Sequence, residues 1–276
     1  SVSTFLSASS RQQQMLWEWH PPYFDLASNE GQINQRAYMT VARIPESFRA
    51  KLSTSLGSLA FEEYEPDRLA DDILKVLGSR GMGLSSLLYM GSSLVKGALG
   101  FFSAFKLLDD LPMNGEFFTV PIDACDYFLR ILADADDKID GFSRADLLGI
   151  SITDEHVELM PIEIKMYDLD SGPDSSLPDP TSYKLDEARD QVAASAKVVE
   201  AIAERFAQIK EEPEDQSLLW RTNLAALLET ALKLSPNKRQ LDNRVLTAIS
   251  KVLGGEISVT EGRPLVLYFS GAESGS

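Results

Sequence analysis

Apolar and polar positions alternate along this chain at two different periods. Between residues 145 and 167 the apolar positions fall into two runs, 145–152 and 157–167, separated by the polar Thr153-Asp154-Glu155-His156. Short apolar runs joined by a polar turn predict two strands of a hairpin. A strand sends residues i and i+2 to the same face. Glu163 and Lys165 are therefore expected on one face, and Ile162, Ile164 and Met166 on the other, against an apolar layer.

The same reading predicts further strands over 15–20, 37–44, 117–122, 257–260 and 264–269. Helices are predicted over 45–56, 67–77, 94–108, 124–133, 185–210, 216–234 and 241–253. Pro45 suits a first helical turn, and Leu69, Ile73 and Leu77 recur at four-residue spacing. Gly97 and Gly100 are poor helix formers, so their helix is expected to lie close on a sheet. No internal repeat is present. The order of elements predicts an α/β protein with a mixed sheet. Its expected parts are an N-terminal strand and helix module over 1–80, a core over 81–210, and C-terminal helices with a closing strand pair over 211–276.

Composition narrows the function. Lys and Arg number 26 against 42 Asp and Glu, a net charge of −16. Broad nucleic-acid binding runs on Lys and Arg neutralising phosphates, so any nucleic-acid contact must be confined to a cleft or shared with a basic partner. One cysteine, Cys125, excludes an internal disulfide and a cysteine-rich zinc site and fits a reducing, cytoplasmic setting. His20 and His156 lie far apart, which disfavours a histidine-based metal site. The longest apolar stretch, 84–108, is broken by Lys96, Lys106 and several Ser and Gly, and reads as a buried helix instead of a membrane span. The chain opens on Ser and closes on Gly-Ala-Glu-Ser-Gly-Ser, which suggests a piece of a longer protein.

Charged residues at the end of an apolar strand demand a reason, because a buried charge is costly unless it is paired or bound to metal. If the two strands pair, Asp146 at the start of the first lies near Glu163 and Lys165 at the end of the second. Neighbouring carboxylates raise each other's proton affinity, and a divalent cation relieves the repulsion. Mg²⁺ takes oxygen ligands, commonly one or two carboxylates with waters and phosphate oxygens. A lysine beside it can orient a water or offset transition-state charge. A surface Glu–Lys pair on an edge strand is the competing reading, and Pro161 suits an edge.

Asp146 followed by Glu163-Ile164-Lys165 resembles the D…(D/E)xK signature of the PD-(D/E)xK nuclease superfamily. The resemblance implies a three-layer α/β/α fold with a mixed central sheet, as in restriction endonucleases, covering about residues 94–210. It implies that Asp146, Glu163 and the Ile164 backbone carbonyl hold Mg²⁺ or Mn²⁺, and that Lys165 is the catalytic lysine. Some members carry a Gln on the helix after this strand, and Gln191 matches that place; an exposed helical position is the other reading of Gln191. The proline that commonly precedes the Asp is Ala145 here. Many members also carry a Glu on the helix before the first core strand. The 94–108 helix has no acidic residue, leaving Glu62, Glu63, Asp71 and Asp72 as candidates for that role.

The layout also looks similar to the nuclease-like parts of bacterial DNA-translocating defence proteins, the DptH-like restriction ATPases that act with phosphorothioate DNA modification. The segments YMTVARIPESFRAKL, KGALGFFSAFKLL and RADLLGISI carry this likeness. It implies DNA as substrate and an ATPase or translocase as partner or missing domain, since the chain has no Walker A spacing. The expected function is a metal-dependent DNA endonuclease in bacterial antiviral defence, restriction or DNA processing. The alternative is a non-catalytic interaction domain on the same fold. Other candidate features have two readings each. Trp17 and Trp19 share a strand face and suit packing or base stacking. Asp123 suits a strand-end cap or a further metal ligand. The acidic stretch 133–141 fails the EF-hand ligand pattern and reads as a solvated loop.

Overall fold

A computed structural model describes residues 15–20, 38–44, 46–58, 65–80, 94–111, 115–133, 145–166, 183–234 and 243–269. The protein is mixed α/β with a mixed sheet. The strands are β1 (Met15–His20), β2 (Tyr38–Arg43), β3 (Glu116–Pro121), β4 (Leu147–Ile152), β5 (His156–Met166), β6 (Ser258–Glu261) and β7 (Leu265–Phe269). The helices are α1 (Glu46–Ser58), α2 (Pro66–Ser79), α3 (Leu94–Asp110), α4 (Ile122–Ala133), α5 (Tyr183–Ala207), α6 (Glu214–Leu234) and α7 (Asn243–Gly254).

β1 and β2 form a separate antiparallel pair. In the main sheet β3, β4 and β5 run antiparallel in sequence order, and β6 and β7 then pair parallel to β5. Helices α5, α6 and α7 lie between β5 and this parallel return, as a parallel connection requires a long crossover. The two closing strands expected from the sequence are present, but they do not face one another. β6 lies along His156–Leu159 and β7 along Ile162–Met166, so both strands extend the main sheet.

This placement explains Pro161. The Leu159 carbonyl accepts the Gly262 N–H at 2.8 Å. Alternation of backbone direction then points the nitrogen of Pro161 toward β6 and β7 as well. Pro161 therefore falls opposite the break between those two strands, where no ladder bond needs its missing donor. The proline sits inside a central strand and does not mark an edge.

Residues of β4 and β5 alternate between two apolar clusters. Leu148, Ile150, Ile152, Val157 and Leu159 pack with residues of α4, α5, α6 and α7, among them Phe128, Val199, Leu224 and Val252. Leu147, Met160 and Ile162 pack with α1, α2 and α3, among them Leu52, Ile73, Leu77 and Phe105. Helix α3 packs on β5 at Gly100, where an added Cβ would lie 3.4 Å from Ile164 Cγ2 and 3.5 Å from Met166 Cβ, at ordinary packing distance.

The second cluster is closed by a buried guanidinium. Arg80, just past α2, is 5% exposed. It donates to both carboxylate oxygens of Asp109 on α3 and, at 3.2 Å, to Thr119 Oγ1 on β3. It also lies over the Phe105 ring, 5.0 Å from the centroid. Among the described residues no helix is long and apolar enough to cross a membrane.

Candidate functional site

The β4–β5 hairpin turns at Thr153. Its N–H donates to the His156 carbonyl at 3.0 Å, and its Oγ1 accepts the N–H groups of Glu155 and His156 at 3.3 and 3.1 Å. This turn sets a register in which Leu147 faces Ile162. One residue further along the same ladder, Asp146 falls opposite Glu163. A single-residue slip would send the charged set into the wrong layer.

Asp146 is fixed by its own main chain and by its neighbours. Its carbonyl accepts the Ile122 N–H at 3.0 Å, which extends the β3–β4 ladder by one bond. Its Oδ2 accepts the Ile164 N–H at 2.8 Å. Its main chain also lies close enough to the Glu163 carboxyl to favour the charged form. Asp146 is thus tied by its carbonyl to the start of α4 and by its carboxylate to β5.

Glu163 is 2% exposed. Its Oε1 accepts the Lys165 ammonium at 2.8 Å. Its Oε2 is buried and has no hydrogen-bond partner. Burial pushes the Glu163 carboxyl up to about 7, and the Asp146 charge adds to that. The Lys165 ammonium and the Asp146 main chain pull the other way without cancelling it. A carboxylate in this setting is under-satisfied: one oxygen carries the lysine and the other carries nothing.

Helix α5 supplies the other wall. Its buried Ala188 and Val192 turn one face to the sheet. On that side Gln191 Oε1 accepts a second hydrogen bond from Lys165 Nζ at 2.8 Å. One turn later the buried Ser195 Oγ accepts the Ala145 N–H at 2.9 Å. The structure therefore gathers Asp146, Glu163, Lys165 and Gln191 at one place, with Ile164 contributing backbone. It adds Ser195, which the sequence did not single out. The available signal was faint: polar residues at i and i+4 on the face that also carries Ala188 and Val192.

Other sequence candidates do not join this site. Asp71 holds Arg49 through two hydrogen bonds of 2.5 and 2.8 Å at the α1–α2 contact, and Asp72 is exposed. Glu62, Glu63 and residues 134–144 and 167–182, expected as loops, lie outside the described residues. So do the side chains of Trp17, Trp19, His20 and Asp123, whose backbones belong to β1 and α4. Among the described residues no group of three or more His, Cys, Asp and Glu side chains could hold a metal ion. The donor set present is two carboxylates and the carbonyl next to them. It fits a hard cation that keeps most of its waters, as Mg²⁺ does, and the unpartnered Glu163 Oε2 is the atom such an ion would satisfy. No protein-family model, curated protein or solved structure matches this chain.

Proposed function

We propose that this chain is a divalent-metal-dependent DNA endonuclease domain of a bacterial defence or DNA-processing system, built on the three-layer PD-(D/E)xK plan. The observation that carries the reading is the buried, unpartnered Glu163 Oε2 beside Asp146 and Lys165. Three features support the plan: the strand path β3–β4–β5 with a parallel return, apolar clusters drawing on different sets of helices, and Gln191 bonded to Lys165.

Asp146, Glu163 and the Ile164 carbonyl would hold Mg²⁺ or Mn²⁺. The chemistry that such an ion supplies is polarisation of the phosphodiester and acidification of water. The chain's own residues do the rest. The Ile164 N–H holds the Asp146 carboxylate and the Lys165 ammonium holds that of Glu163 before substrate arrives, so little reorganisation is left for the reaction. Lys165, held between Glu163 and Gln191, presents an ammonium that orients the attacking water or offsets charge growing on the phosphate. With a net charge of −16, grip on the DNA backbone falls to a local cleft or to a translocase partner.

The test is cleavage of plasmid DNA with Mn²⁺ present. Glu163→Ala and Lys165→Ala are expected to abolish cleavage while retaining the circular dichroism of the parent. Undiminished cutting by both refutes the proposal. One observation favours a second reading, a non-catalytic interaction domain: the Lys165 ammonium is already engaged by Glu163 and Gln191. A protein unperturbed by millimolar Mg²⁺ or Mn²⁺ would favour that reading.

A further inference from the structure

We infer that Ser195 is a positioning residue for the candidate metal site, acting through the main chain of Ala145 upon Asp146. The inference rests on the metal-site reading above and extends it to a residue that touches none of the reacting atoms.

The geometry is specific. Ser195 Oγ accepts the Ala145 N–H at 2.9 Å, and both residues are buried, so this donor has no access to water. The next residue, Asp146, accepts the Ile122 N–H through its carbonyl at 3.0 Å and the Ile164 N–H through its Oδ2 at 2.8 Å. The chain entering β4 is thereby pinned at successive residues, first to helix α5 and then to Ile122 and β5. Loss of the first bond leaves a buried donor unsatisfied, and the peptide can turn to find another partner. Turning it changes the backbone angles at Ala145 and so shifts the Asp146 carboxylate that accepts the Ile164 N–H. Gln191, one turn earlier on α5, holds Lys165. A single helix face therefore aligns the acid arm and the lysine arm.

The experiment compares the chain with Ser195→Ala, Ser195→Thr and Val198→Ala. Val198 is a buried α5 residue outside the site and controls for simple loss of stability. Calorimetric titration with Mn²⁺ is expected to show about tenfold weaker binding for Ser195→Ala, the usual size of an outer-shell loss. Ser195→Thr keeps the hydroxyl and should restore most of the affinity, and Val198→Ala should bind as the parent does. In parallel, amide exchange without metal should speed up at Ala145 and at Ile164, whose N–H the Asp146 carboxylate accepts, in Ser195→Ala alone. Unchanged exchange at Ile164 in Ser195→Ala overturns the inference, as does parental Mn²⁺ affinity in that variant. If the parent binds no Mn²⁺ while Ser195→Ala still speeds Ile164 exchange, the metal-site reading fails and the link from Ser195 to Asp146 stands.

Discussion

Gln191 and Lys165, 26 positions apart, meet at 2.8 Å across the gap between helix α5 and strand β5. The amide oxygen takes one ammonium hydrogen and Glu163 takes another. This gives a direct prediction. Gln191→Ala leaves the lysine tethered from one side only, and cleavage should fall by about ten- to a hundredfold through misplacement. Gln191→Glu keeps an acceptor oxygen and should lose less. Single-turnover rates on plasmid DNA check both.

The Glu163 carboxyl gives a pH prediction. Its pKa is raised from 4.5 to about 7 in the folded protein, so the fold holds a proton that the unfolded chain releases earlier. The stabilising share of that proton is complete below the ordinary value and disappears as pH rises through about 7. Metal-free protein should therefore lose stability across this window, by no more than about 3 kcal/mol. Glu163→Gln, neutral at every pH, should flatten that part of the profile. Urea unfolding at a series of pH values is the measurement.

The Arg80 network gives a stability prediction far from the chemistry. Asp109→Ala would strand the guanidinium with Thr119 and the Phe105 ring as its remaining contacts. A loss of about 2–3 kcal/mol is expected, because a buried charge without its partner keeps its desolvation cost. Arg80→Met, which fills the space without charge, should cost less than Asp109→Ala. Chemical denaturation of the two variants decides the order.

A backbone prediction concerns Gly115, which precedes β3. Its φ is +80°, and an added Cβ would lie 2.2 Å from the Ile152 carbonyl oxygen. Gly115→Ala meets both a disfavoured conformation and a main-chain clash, so a loss of about 2 kcal/mol or more is expected. Thermal unfolding of this variant beside Gly57→Ala, at an exposed position without tight contacts, measures it.

The strands around the site were legible because their signals are local. Alternation placed Glu163 and Lys165 on one face, and the polar turn 153–156 set the register that brings Asp146 opposite Glu163. The outer neighbours of β5 were not legible. Val259 and Val266 read as a terminal pair, since nothing in a short window says that each will lie against a strand so far back in the chain. Pro161 misled for the same reason: its meaning depends on where β6 stops and β7 starts. Ser195 was silent because a serine on a helix is unremarkable until the N–H it receives is known. Arg80 carried no signal in the sequence, and only the approach of Asp109 and Thr119 makes it an internal tie.

The break opposite Pro161 has a consequence for assembly on the ribosome. The strand that bears the acid and the lysine emerges early, yet the segments that flank its outer side, Ser258–Glu261 and Leu265–Phe269, are translated only after three intervening helices. During that interval its outer border is exposed to pairing with other nascent chains, the hazard common to late-closing sheets. Its proline, unable to donate, makes that waiting border a poorer template for a stranger.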